Sequence, residues 1–176
     1  MSHREYRVLT AVGPDRPGIV QEVSRVLLEC GANLEDSRMA ILGGEFALIV
    51  LCAGPATALE SLLSRTPALE ASLGLRVTLK PTSGPSGGGA FLPYRLRVTG
   101  VDRPGIVAAV SAVLAAARVN VASLESRVQN AALSGTPMFQ LTAELQVPSE
   151  VALASLRRDL GRVADDENLD LQLEAG

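Results

Sequence analysis

The stretch Gly13-Pro14-Asp15-Arg16-Pro17-Gly18-Ile19-Val20 returns 87 positions later as Gly100-Val101-Asp102-Arg103-Pro104-Gly105-Ile106-Val107. The correspondence runs on through Val23/Val110, Ser24/Ser111, Val26/Val113, Leu27/Leu114 and Asn33/Asn120, so that 12 of the 22 positions from Gly13 to Leu34 are identical. A repeat of that density makes the 176-residue chain a tandem duplication, in which each copy is a fold of its own. Between the copies lies Pro81-Thr-Ser-Gly-Pro-Ser-Gly-Gly-Gly-Ala90, mostly Gly, Pro and Ser, which has nothing to bury and reads as a flexible linker. The expected division is therefore a first domain over residues 1–80, a linker over 81–91 and a second domain over 92–176.

Within each copy the hydrophobic period changes in the same order. Tyr6 to Val12 is rich in strand formers, and Ile19, Val20, Val23, Val26, Leu27 and Cys30 then recur at helical spacing from near Pro17, until Gly31 stops the helix. Asn33 to Leu42 and Glu45 to Cys52 read as two strands around Gly43-Gly44, a doublet suited to the positive φ angles of a tight hairpin. Leu59, Leu62 and Leu63 mark a second helix, and Leu75, Val77 and Leu79 a last strand. The second copy repeats the order, with Leu96/Val98, a helix over Ile106 to Ala117, and strands near Asn120 to Val128 and Met138 to Val147. Leu153, Leu156, Leu160 and Val163 then mark its second helix, and Leu169, Leu171 and Leu173 its last strand. The fold class is α+β: two tandem βαββαβ ferredoxin-like sandwiches, each a four-stranded antiparallel sheet with two helices on one face. The two sheets differ. Phe139 to Val147 alternates apolar and polar residues, whereas Phe46-Ala-Leu-Ile-Val-Leu-Cys52 is apolar on both faces, so a cover over the first sheet is expected, from the other domain or from a second chain.

Composition narrows the function. A net charge of -3, from 16 Lys+Arg against 19 Asp+Glu, gives no electrostatic footprint for nucleic acid or an anionic membrane. No run of 18 apolar residues occurs, and Met1 to Arg7 is polar, so a cytoplasmic protein is expected. One histidine, His3, and two scattered cysteines, Cys30 and Cys52, leave no metal site or His-based triad within one chain, and no cofactor is implied.

The repeated loop joins the first strand to the first helix. Asp15 and Asp102 can cap the helix, and Pro17 and Pro104 are pre-set for its first turn. Capping alone does not explain why Arg, Pro, Gly, Ile and Val recur while Gln21/Ala108 and Arg25/Ala112 diverge. Glycine at a helix start leaves the free N–H groups open to an anion, and an adjacent aspartate suits an ammonium, which together make a site for a free α-amino acid. Asn33 and Asn120 can donate to a carboxylate and accept from an amine, though a plain turn role competes.

Asp-Arg-Pro-Gly-Ile-Val in this position of a βαββαβ unit, with the later Asn, resembles the ACT domain, a small-molecule-sensing module. Two such units, with Ser37-Arg38-Met39, Gly44-Glu45-Phe46 and Ser134-Gly135-Thr136-Pro137-Met138-Phe139, resemble the glycine-cleavage-system transcriptional repressor family. The resemblance covers about Tyr6 to Leu173 and implies a non-enzymatic sensor of a small amino acid, glycine or serine-like. It further implies a protein partner, a transcriptional regulator, with no direct contact to DNA. ACT units pair side by side with ligands at the seam, which implies a homo-oligomer or tight pairing within the chain. The implied ligand-binding residues are Asp15, Arg16, Gly18, Ile19 and Asn33 in the first copy, and Asp102, Arg103, Gly105, Ile106 and Asn120 in the second.

Three rivals follow. RNA recognition on this topology needs strand aromatics and a basic field, and the chain has two Tyr, three Phe and no Trp. Small acyl-phosphate hydrolases share the topology and pair a loop Arg with an Asn, but Asp15 and Asp102 beside the arginines would repel phosphate. A ligand-free interaction module is the third.

Overall fold

The computed structural model describes residues 4–84 and 91–176. The chain divides into two compact units, residues 1–87 and 88–176. The first unit runs β1 (Glu5–Pro14), α1 (Ile19–Cys30), β2 (Asn33–Leu42), β3 (Glu45–Gly54), α2 (Ala56–Leu73) and β4 (Arg76–Thr82). The second runs β5 (Phe91–Val101), α3 (Ile106–Ala116), β6 (Asn120–Asn130), β7 (Pro137–Pro148), α4 (Leu153–Glu167) and β8 (Leu169–Ala175). Both sheets are antiparallel, in the orders β2-β3-β1-β4 and β6-β7-β5-β8, as the periodicities predict for βαββαβ. Pro81 and Thr82 continue β4 and Phe91 opens β5; residues 85–90 of the expected linker, and His3, lie outside the described residues.

Strand alternation builds the first core. Leu9 and Ala11 of β1 and Phe46, Leu48, Val50 and Cys52 of β3 point inward against Ile19, Val23, Val26 and Leu27 of α1 and Leu59, Leu62 and Leu69 of α2. The second core repeats this with Leu96, Val98, Ile106, Val110, Leu114, Leu156 and Leu160. Two residues placed on buried helical faces by the sequence are half exposed instead, Val20 at 46% and Leu63 at 45%. Each follows a buried residue, Ile19 or Leu62, and one step along a helix turns the side chain by about 100°, past the edge of the apolar stripe. The helices begin at Ile19 and Ile106, so Pro17 and Pro104 shape the preceding turn and are not first-turn residues.

Helix ends are alike in hydrogen bonding and unlike in residue. Gly31, at φ 74°, ends α1, with Gly31 N–H donating to the Leu28 carbonyl and Ala32 N–H to that of Leu27. Arg118 and Val119 repeat the pair toward Ala115 and Leu114, but there the left-handed position, φ 56°, is held by an arginine. Gly43 and Gly44, at φ 60° and 85°, close the β2–β3 hairpin as the doublet predicts. Cys52 is fully buried, its thiol pushed up to about 11 by that burial, and Cys30 is half-buried; both are free.

Candidate functional site

The repeated turn is anchored before it can be used. Asp15 N–H donates to the Gly44 carbonyl and Asp102 N–H to that of Pro137, each at 2.9 Å, which ties the end of the first strand to the neighbouring strand's start. Gly13 and Gly100 then pass so close to the strand after the second helix that a Cβ would lie 2.8 Å from Leu75 Cδ2 or 2.5 Å from Leu169 Cδ2. Their recurrence is a matter of room.

Gly18 and Gly105 recur for another reason. They occupy the N-cap positions at φ 95° and 103°, a conformation that β-carbons disfavour, and neither helix start has a side-chain cap. The Gly18 carbonyl accepts from Glu22 N–H at 3.0 Å and the Gly105 carbonyl from Ala109 at 2.9 Å. The amides of Ile19, Val20 and Gln21, and of Ile106, Val107 and Ala108, thus precede the first intrahelical donor, the N–H of Glu22 or Ala109, and have no acceptor within the helix. The capping expected of Asp15 and Asp102 is not made, because left-handed glycine carries the chain into the helix instead.

The arginines point elsewhere. Arg16 Nη2 donates to the Ser72 carbonyl at 3.0 Å and its Nε to Leu73 at 3.4 Å, at the last turn of α2. Arg103 Nη2 donates to the Glu167 carbonyl, the last residue of α4. Each guanidinium therefore caps the carbonyl end of its unit's second helix, where a positive charge is favoured. Glu22 adds to the first clamp: it accepts from the Ser72 hydroxyl and pairs with Arg16 at 3.5 Å, and these hold its carboxyl below the ordinary 4.5. Ala109 stands at that place in the second unit.

The asparagines are also remote. Asn33 pairs with Ala53, eight residues along β3 from Glu45, so it stands about 27 Å from the turn at roughly 3.4 Å per residue. Its amide donates to Glu35 at 2.5 Å, and that of Asn120 to Gln146 at 2.8 Å. A single unit brings Asp15, Gly18 and Ile19 together and leaves Asn33 at the far end of the sheet; Asp102, Gly105, Ile106 and Asn120 are disposed alike. Neither unit sets its loop Arg beside its Asn as a phosphate-handling pair.

Three residues outside the expected ligand set complete the first site. Met39 and Ile41 of β2 and Phe46 of β3 wall a depression of about 620 Å³ whose other side is the unbroken run from Asp15 to Gln21, Arg16 included. Met39 and Ile41 are half exposed, at 53% and 51%. Register could have found them: Ile41 pairs with Phe46, and Phe46 with Gly13. The counterparts in the second unit are Ser126, Val128 and Phe139. Among the described residues no group of acidic, His or Cys side chains could hold a metal ion, and no helix is long and apolar enough to cross a membrane.

The comparisons with known proteins agree over both halves. Residues 5–80 and residues 94–152 each match the ACT domain. The glycine cleavage system transcriptional repressor of Escherichia coli (strain K12) is 32% identical over 158 residues, 90% of this chain and 83% of the repressor. A crystal structure of an unknown protein from Galdieria sulphuraria superimposes with TM-score 0.87 at 34% identity, covering 99% of both chains. That of a candidate glycine cleavage system transcriptional repressor superimposes with TM-score 0.75 at 27% identity, covering 98% of both chains.

Proposed function

This chain belongs to the ACT-domain family, with two units in tandem, and from that premise we propose that it is a cytoplasmic, non-enzymatic regulator that binds a small amino acid at its strand-to-helix turns. Its protein partner in this reading is a transcriptional regulator, and it does not itself touch nucleic acid. The carrying observation is the first turn, where uncapped helix-start amides, the Asp15 carboxylate and open room coincide. The amides suit the ligand's carboxylate and Asp15 its ammonium. Glycine and serine are the first ligands to test, since the repressor relatives are named for glycine cleavage. Arg16 and Arg103 first hold the turn in this reading, through bonds to helix-end carbonyls, and Arg16 also lines the depression and so stays among the ligand contacts to test. Asn33 or Asn120 joins such a site only where one unit's turn meets another unit's β2-type edge, which is the seam this reading assigns to the ligand.

Calorimetry and thermal unfolding of the full chain with glycine, serine and alanine test the reading. Ligand at a hundredfold excess over its dissociation constant adds about 2.7 kcal/mol to stability. Asp15→Ala and Asp102→Ala should weaken binding. A second reading, an interaction module without ligand, draws on the arginine clamp, which gives the repeated motif a structural reason to exist. No response to any amino acid, with partner association intact, selects that reading.

A further inference from the structure

The outer face of the first sheet is built unlike that of the second. Val8, Thr10 and Val12 of β1 and Ala47, Ile49 and Leu51 of β3 point away from the helices, and Val12 and Ile49 are 50% and 47% exposed. The register places Arg95, Arg97 and Thr99 of β5 and Gln140, Thr142 and Glu144 of β7 in the same positions of the second sheet. On the first face Thr10, Val12, Arg38, Ala40, Ala47 and Ile49 border a shallow depression of about 320 Å³ with an almost wholly apolar wall. Solvent explains the second face and not the first, since exposed apolar patches of this kind mark interaction surfaces.

The charges around the patch say what fits it. One cross-strand row reads Asp36–Leu51–Val8–Lys80, the next Arg38–Ile49–Thr10–Thr78, the next Ala40–Ala47–Val12–Arg76. The Thr10 and Thr78 hydroxyls meet at 2.6 Å, which fixes the middle row on this face. Among the described residues Lys80 and Arg76 take part in no ion pair, while Asp36 pairs with Arg38 of its own strand at 2.5 Å, on the exposed side. We propose that this face binds the same face of a second copy of the chain, about a two-fold axis parallel to the strands. That rotation lays apolar centre on apolar centre and β2 of one copy over β4 of the other, so each Asp36 faces the partner copy's Lys80. The other in-plane two-fold stacks β4 on β4 and sets Arg76 against Lys80, like charge on like, and Arg38 on Arg38. Charge thus selects one of the two symmetric arrangements, and an isologous contact needs only this one patch.

Sedimentation of the full chain across a concentration series tests this. The wild-type chain is expected at twice its 18.4 kDa mass at tens of micromolar. Ile49→Lys should weaken association about tenfold or more with circular dichroism and melting preserved, whereas Thr142→Lys at the matching position of the second sheet should leave it unchanged. Lys80→Asp should also weaken it, and Asp36→Lys with Lys80→Asp should restore it. A monomeric wild-type chain, a dimer that survives Ile49→Lys, a dimer lost in Thr142→Lys, or a double reversal no better than the single would each overturn the proposal. The first of these would leave the face to a different partner. Amino-acid binding is read separately by calorimetry, so failure here does not bear on the ligand site.

Discussion

The two units share a topology, a register and a pair of clamped turns, and they differ in what they show to their surroundings. Where β3 presents Ala47, Ile49 and Leu51, β7 presents Gln140, Thr142 and Glu144. Where β2 walls its turn with Met39, β6 has Ser126. Below the surface the units agree position by position, with Leu9 and Ala11 answered by Leu96 and Val98, and Ile19 by Ile106. Duplication has kept what the fold requires, and divergence has fallen on the outer face and on the wall beside the turn. A position repeated in both units is therefore a claim about the fold or the shared turn, and a position that differs is a claim about which partner or ligand each unit meets.

The sharpest way to break the likeness is to fill the glycines beneath the turns. Gly13→Ala puts a Cβ 3.3 Å from the Leu75 Cα, so backbone must move, while Gly100→Ala mainly displaces the Leu169 side chain. Gly13→Ala should cost about 2–3 kcal/mol and Gly100→Ala about 1–2 kcal/mol in urea unfolding. Next come the clamps. Arg16→Ala and Arg103→Ala should each lower stability by about 1 kcal/mol, reduced from the full value of a charged hydrogen bond because these side chains are partly exposed. Amide exchange should quicken at the end of α2 for the first variant and of α4 for the second. A smaller effect follows at the helix ends, where the units differ. Arg118→Gly should add about 0.5–1 kcal/mol by relieving the left-handed residue, and Gly31→Arg should remove about the same.

The least effect is one of pH and confined to the first unit. Glu22 is held below its ordinary 4.5 by the Ser72 hydroxyl, with Arg16 adding to it against an opposing desolvation. Its contribution is whole above 4.5 and drains away as the pH falls through the lower folded value. Amide exchange at the Arg16–Gly18 turn should therefore quicken on acidification, while the Arg103–Gly105 turn, with Ala109 in that place, shows no such step.

Much of this is legible in the sequence. The strand over Asn33–Leu42 is legible to the residue, because Gly31 and the Gly43-Gly44 doublet bracket it. Leu59, Leu62 and Leu63 mark only the first half of the second helix, which spans Ala56–Leu73 and continues through Pro67. A proline breaks the expected pattern, and tertiary packing of Leu69 and Leu73 outweighs it. The arginine clamp was hidden because its acceptors lie 56 and 57 residues away and are backbone carbonyls, which leave no trace in side-chain identity. The separation of Asn33 from Asp15 was available in principle: a strand that leaves one end of a sheet antiparallel to its neighbour begins far from where that neighbour begins.

The most direct test is a calorimetric titration of glycine and serine into the full chain, beside Asp15→Ala, Asp102→Ala and the double variant. Saturable binding in the wild type, weakened by each single change and lost in the double, is the expected result. An unaltered affinity in the double variant, or no heat with any amino acid, would show that the paired turns serve only to begin two helices.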